Sequence, residues 1–313
     1  MTQDVEPSPG GEDPPAGSAA PHGWERRTRR VPHGDVELAV VELGSATAPA
    51  VVVAHGIGSS ARFIEAAFTG PFVTAGWRLV TFDLRGHGGS GAAPRVADHH
   101  LDVHAGDLAA VVDATGGEVA VVGGVSLGGH AAVRAVVGGS VVAEAVLACL
   151  PAWTGVATRG SGPHAVLAAE AARDGIGSVV ARLEVEPALP TWLRSTLLTD
   201  YRRHDPASLV AALTALDGAE APDADELTAL PVPLALVAWP DDPGHPWEVA
   251  SAWAASARRS ALTTIDLWDL EDGLFRLGEA AVASLHRLGV RARNRSGGAS
   301  SAPHRRPEPR EHR

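Results

Sequence analysis

Short Val-rich apolar runs alternate with longer Ala- and Leu-rich segments of helical spacing between residues 31 and 290. Val36–Leu43, Ala50–Ala54 and Arg78–Phe82 read as strands, as do residues 118–123, 141–150, 232–239 and 262–267. Several of these are apolar without a break, the pattern of strands covered on both faces. Helical spacing falls on residues 60–75, 101–114, Leu127–Val137, 245–258 and 278–288. Ser59 or Ser60 stands where it would cap the first of these and Asp98 where it would cap the second. Strand and helix in repetition predict an α/β protein with a doubly wound, mainly parallel sheet.

One stretch breaks the alternation. Residues 152–228 hold Ala/Leu helical segments, such as 162–173 and 206–216, and no convincing strand. A helical insertion after a parallel strand sits over the face where such sheets bind ligands, so it is expected to be a lid. The expected organisation is a disordered leader at 1–30, a core formed by 31–151 and 229–290, a lid at 152–228, and a disordered basic tail at 291–313.

Composition narrows the class. The 313 residues are 45% hydrophobic and 20% charged, the balance of a soluble globular chain. The tail holds seven Arg against two Glu, a net +5, so residues 1–290 carry −16 of the overall −11. An acidic body argues against nucleic acid as the partner. The longest apolar runs are too short for a membrane span, and the Pro/Gly-rich acidic start lacks the form of a secretory signal. A single cysteine, Cys149, allows no internal disulfide. These features together predict a cytoplasmic protein with a buried thiol. Every one of the 26 basic residues is Arg, which with the Ala, Gly and Val content reads as coding bias.

The chemistry concentrates at strand ends. Gly124-Val125-Ser126-Leu127-Gly128 fits G-x-S-x-G, follows the apolar run EVAVVG and opens a helical run. That is the strand–turn–helix context of a nucleophile elbow, with the Ser126 hydroxyl lifted above the sheet at a helix N-terminus. His55-Gly56-Ile57-Gly58 follows the strand AVVVA. A Gly-containing turn there offers a backbone donor to a developing oxyanion: Ile57 N–H on this side, Leu127 N–H on the other. His55 and Gly56 read as support for the loop. Asp83-Leu84-Arg85-Gly86-His87-Gly88-Gly89-Ser90 follows RLVTF, and Asp241-Asp242-Pro243-Gly244-His245-Pro246 follows a later strand.

HGIG, DLRGHGGS and GGVSLGG, in this order and spacing, resemble the α/β-hydrolase superfamily over about residues 31–290. The resemblance implies that fold, with Ser126 as nucleophile and Asp83, Arg85 and His87 in structural roles. It also implies that the second Asp of the pair, Asp242, is the triad acid, the bland alternative being a turn with solvated carboxylates. The motifs fix the position of the nucleophile but leave the substrate open. In such proteins the chain order is Ser, Asp, His, with the His after the last strand. Here residues 262–276 contain no histidine, and Asp272-Gly273 stands where Gly-His is expected. The base stays open among His245 on the acid loop, His286, His164 or His204 of the insertion, and Asp272 or Glu271, or it is absent.

The remaining signals are weaker. His100, His104 and Asp107 have helical spacing for a metal but read as a polar helix face, and no metal or organic cofactor is implied. Trp153, Trp192, Trp239 and Trp268 are candidates for pocket lining or for plain packing. The expected function is hydrolysis of an ester, thioester or lactone of a small to medium apolar compound through Ser126. The alternative is a degenerate member that binds a ligand or partner, or does non-hydrolytic chemistry. The expected partner is a small molecule; the oligomeric state is open.

Overall fold

The computed structural model describes residues 24–293, apart from 117, 161, 188 and 241. Eight strands form one sheet: β1 Arg26–His33, β2 Val36–Leu43, β3 Ala50–Ala54, β4 Arg78–Phe82, β5 Val119–Val125, β6 Ala145–Cys149, β7 Leu234–Ala238 and β8 Ser260–Thr264. Their order is β1-β2-β4-β3-β5-β6-β7-β8. β2 runs antiparallel to both of its neighbours, and the pairs from β4 to β8 are parallel.

The helices are α1 Ala61–Thr74, α2 Leu101–Thr115, α3 Leu127–Val137, α4 Gly162–Asp174, α5 Ile176–Val185, α6 Thr191–Tyr201, α7 Pro206–Ala215, α8 Ala224–Ala229, α9 Trp247–Ser256 and α10 Phe275–Arg287. The period-2 pattern of the strands serves two cores at once. In β3, Val52 and Ala54 face the core under α2, α3, α8 and α9, whereas Val51 and Val53 face the one under α1 and α10. Between β6 and β7, helices α4, α5, α6 and α7 close around a third cluster that includes Val179, Leu183, Tyr201, Leu209 and Leu213.

Several expectations need correction. The folded body starts at Arg26, not at 31, because the arginines of β1 find partners: Arg26 bonds Glu65 at 3.0 Å, and Arg29 pairs with Glu42 at 2.9 Å. The first 23 residues of the expected leader, and residues 294–313 of the expected tail, lie outside the described residues. The final part of the 152–228 insertion belongs to the core layer, since α8 packs on α3 and α9 with Leu227 in the main core. Asp98 does not cap α2. It sits in a short 3-10 turn, Val96–His99, bonded to Arg95, and His100 takes the cap position. Ser60 is at the cap position of α1, but its hydroxyl donates to Asp200 at 2.8 Å; the Ala61 N–H goes to Asp83 Oδ1 at 2.8 Å.

Candidate active site

Parallel strands β3, β4, β5 and β7 end at one edge of the sheet, where an open α/β sheet presents its loops. Ser126 stands there between β5 and α3, at φ 51° and ψ −119°. Only a tight approach permits this turn. A Cβ on Gly128 would lie 2.4 Å from the Ala54 oxygen, and one on Gly124 would lie 2.5 Å from the same atom. The Ser126 N–H donates to Cys149 O at 2.8 Å, tying the turn to β6. Cys149 itself is fully buried, and burial pushes its thiol far up, so it is inert core.

The loop after β7 brings an acid and an imidazole to this serine. Asp242 to His245 form a turn closed by His245 N–H to Asp242 O at 3.1 Å, with Pro243 at its second position. That turn folds the i and i+3 side chains together: His245 Nδ1 lies 2.7 Å from Asp242 Oδ2. His245 Nε2 lies 3.1 Å from Ser126 Oγ. With Nδ1–H donated to the carboxylate, Nε2 is left as the acceptor for the serine hydroxyl. Asp242 also receives the Trp239 indole N–H at 2.9 Å on Oδ2 and the Gly244 N–H at 2.7 Å on Oδ1. Burial alone would raise its pKa, but the bond and charge of His245, with the Trp239 and Gly244 donors, hold it well below the usual carboxylate range.

The other candidate bases lie elsewhere. His286 packs against Trp77, beside the amino end of β4, the opposite edge from Ser126. His204 uses both ring nitrogens on backbone: Nδ1 accepts from Gly88 N–H at 2.9 Å, and Nε2 faces Gly58 O at 3.2 Å. Glu271 is exposed and accepts from Thr191 N–H at 2.6 Å. Asp272 is exposed at the end of the 3-10 turn Leu267–Asp272. The side chain of His164 and residue Asp241 lie outside what is described.

Around the serine, the loop after β3 is held by buried imidazoles. His55 Nε2 accepts from Leu84 N–H at 2.9 Å, and its Nδ1 meets Gly56 O at 2.7 Å. His87 Nε2 accepts from Gly58 N–H at 3.0 Å. Gly56 is pressed against the serine, since a Cβ there would stand 3.2 Å from Ser126 Cβ. Asp83 bonds Ala61 N–H and Gly89 N–H, each at 2.8 Å, and Arg85 forks onto Asp107 with two 2.7 Å bonds. Asp107 and His104 are therefore buried inward, not on a polar outer face. Among the described residues no group of His, Cys, Asp or Glu is placed to hold a metal ion.

The helical segment docks on this loop. Asp200 bonds Ser60, Ser208 Oγ accepts from Ala93 N–H at 2.8 Å, and Tyr201 packs so closely on Gly58 that a Cβ there would meet its ring at 2.4 Å. Sequence reasoning did not anticipate these contacts or the Trp239 bond. It did hold the signal for His245 in D-P-G-H, where a proline turn forces the two side chains together. Of the four tryptophans, Trp192 stacks on Phe63 and meets Trp239 edge-on, Trp153 donates to Ala219 O at 3.1 Å, and Trp268 is 55% exposed.

Comparison with known proteins agrees with this architecture. The model of the alpha/beta hydrolase family matches residues 51–273. A search among curated proteins gives no match. Among solved structures, the enol-lactonase from Burkholderia xenovorans LB400 superposes with a TM-score of 0.69 at 17% identity, over 82% of this chain and 100% of that one. A putative aryl esterase from Burkholderia cenocepacia gives 0.67 at 21% identity, over 83% and 100%. The thioesterase domain from the curacin biosynthetic pathway gives 0.60 at 16% identity, over 84% and 98%. At these identities the superpositions speak for the fold alone. No helix among the described residues is long and apolar enough to cross a membrane. With the family model covering most of its length, this chain belongs to the alpha/beta hydrolase family.

Proposed function

We propose that the protein is a serine hydrolase that cleaves an ester, thioester or lactone of a small to medium apolar compound. The observation that carries this reading is the 3.1 Å contact between His245 Nε2 and Ser126 Oγ, with Asp242 2.7 Å behind the ring. Ser126 Oγ attacks the carbonyl carbon while His245 takes its proton. Asp242 keeps the imidazole in the tautomer with Nε2 free and stabilises the positive charge that forms. The backbone N–H groups of Ile57 and Leu127 receive the oxyanion. His245 returns the proton to the leaving group; water then attacks the acyl-enzyme with His245 again as base, releasing the acid and restoring Ser126. Helices α4–α7 act as the lid, a role supported by their docking on the β3 loop through Asp200, Tyr201 and His204.

A reading as a binding protein without turnover rests on the missing histidine after β8. An imidazole delivered from the β7 loop removes that support. The test is labelling of the intact protein with a fluorophosphonate, read by mass. Rapid stoichiometric modification is expected in the wild type, none in Ser126→Ala, and a rate lower by about three orders of magnitude in His245→Ala. A wild type no more reactive than Ser126→Ala would overturn the proposal.

A further inference from the structure

The β7 loop carries both acid and base within four residues. What ties the loop to the body of the fold at the acid is Trp239, directly after β7. Its side chain is 3% exposed, and its Nε1–H reaches Asp242 Oδ2 at 2.9 Å, the same oxygen that takes His245 Nδ1. The indole is itself braced by Trp192, which is held in turn. Trp192 of α6 meets it edge-on at 6.3 Å, while Trp192 stacks on Phe63 of α1 at 6.2 Å and donates its own N–H to Leu267 O at 3.1 Å. The turn after β8, where the resemblance leads one to expect a histidine, here supports this aromatic column instead.

We infer that Trp239 is a positioning residue: its indole N–H fixes the Asp242 carboxylate and sets how strongly that carboxylate draws a proton onto His245. The inference rests on the reading of Asp242 and His245 as acid and base. The physical argument is competition at one oxygen. A carboxylate oxygen that accepts from an indole has less charge to offer to an imidazolium; without the indole it holds the charged ring more tightly. His245 is the titratable group facing Asp242, and Ser126 faces the other ring nitrogen. In the turn beneath Trp192, Glu271 accepts from Thr191 N–H, Asp266 from Trp268 N–H and Asp269 from Asp266 N–H, while Asp272 is exposed.

The test is a heteronuclear NMR titration of the full-length chain, wild type against Trp239→Phe, which keeps the ring and deletes the donor. The His245 resonance is identified by its loss in His245→Gln, and the Trp239 indole resonance by its loss in Trp239→Phe. Two results are expected. The midpoint of His245 protonation moves up by about half a pH unit in Trp239→Phe, a roughly threefold change in proton affinity. In the wild type, the Trp239 indole proton follows the same titration as His245, a readout taken on the unaltered protein once the two resonances are assigned. A purely packing role predicts a lower melting temperature with superimposable titrations and a flat indole signal, and that result overturns the inference. Fluorophosphonate labelling of the same samples separates the two claims. An inert wild type removes the hydrolase reading, while the coupled titration still reports on Trp239, Asp242 and His245.

Discussion

Ser126 holds a backbone conformation that side-chain-bearing residues rarely adopt, and the strain persists because its surroundings leave no alternative. The strand, the turn and α3 approach so closely that Gly128 sits against the Ala54 carbonyl. Gly128→Ala forces its methyl into that backbone oxygen, with no flexible side chain to yield. Urea unfolding should show a loss of about 2–3 kcal/mol, together with loss of probe labelling. Gly56→Ala separates the two effects. Its Cβ would stand 3.2 Å from Ser126 Cβ, within what a small shift relieves. The urea midpoint should stay close to wild type while the labelling rate falls by about tenfold, because the shift displaces the serine from His245. Equal losses of stability in both variants would show that the turn does not distinguish fold from site.

At the scale of elements, what could be read from the chain follows from how local each cause is. β2, β3 and β4 are legible from their own residues, and their bounds are visible in the pattern. β1 is not, because RRTRR makes a strand only through partners far along the chain. Glu42 takes Arg78 at 2.7 Å, Arg29 at 2.9 Å and Arg27 at 3.6 Å, and both Glu42 and Arg78 are buried. The site divides the same way. As candidates, Ser126 comes from a local motif and Asp242 from the family resemblance, while His245 stays one of several possible bases because the family's chain order points to a later loop. Trp239 as a donor, and Asp200 and His204 as docking groups, depend on contacts that no local pattern announces. The Glu42 network makes the point testable. Glu42→Ala leaves the Arg78 guanidinium buried without its carboxylate, and such a loss costs about 3–5 kcal/mol. Urea unfolding should register it. Arg27→Ala, at the more exposed and longer contact, should change stability by less than about 1 kcal/mol. Similar costs for the two would mean that β1 is held by its ladder bonds and not by its charges.

The whole molecule is fastened at its working edge by neutral histidines, and this gives it a direction of pH sensitivity. Burial pulls His55 down to about 4, against the opposing charge of Asp83. His87 lies well below its ordinary value through burial and its histidine neighbours; His204, His99 and His104 are lowered chiefly by burial. Each of His55, His87 and His204 accepts a backbone N–H, so protonation would set two donors against each other at Leu84, Gly58 and Gly88. A histidine with a folded value below its unfolded 6.5 favours the native state fully above 6.5. That contribution is lost as pH falls from 6.5 toward the folded value, because the unfolded chain takes up the proton first. For His55 the loss is about 3 kcal/mol by pH 4. Asp200 acts the other way. Burial raises it to about 6 against the bond from Ser60, so acidification from 6 to 3.8 returns some stability. Several histidines outweigh one carboxylate. Urea unfolding between pH 8 and pH 4.5 should therefore show a plateau above about 6.5 and a steepening fall below it. His204→Gln should flatten the fall, since an amide can accept from Gly88 N–H and donate to Gly58 O without titrating. Stability that holds or rises on acidification would mean that the carboxylates, and not the buried histidines, govern the pH response of this edge.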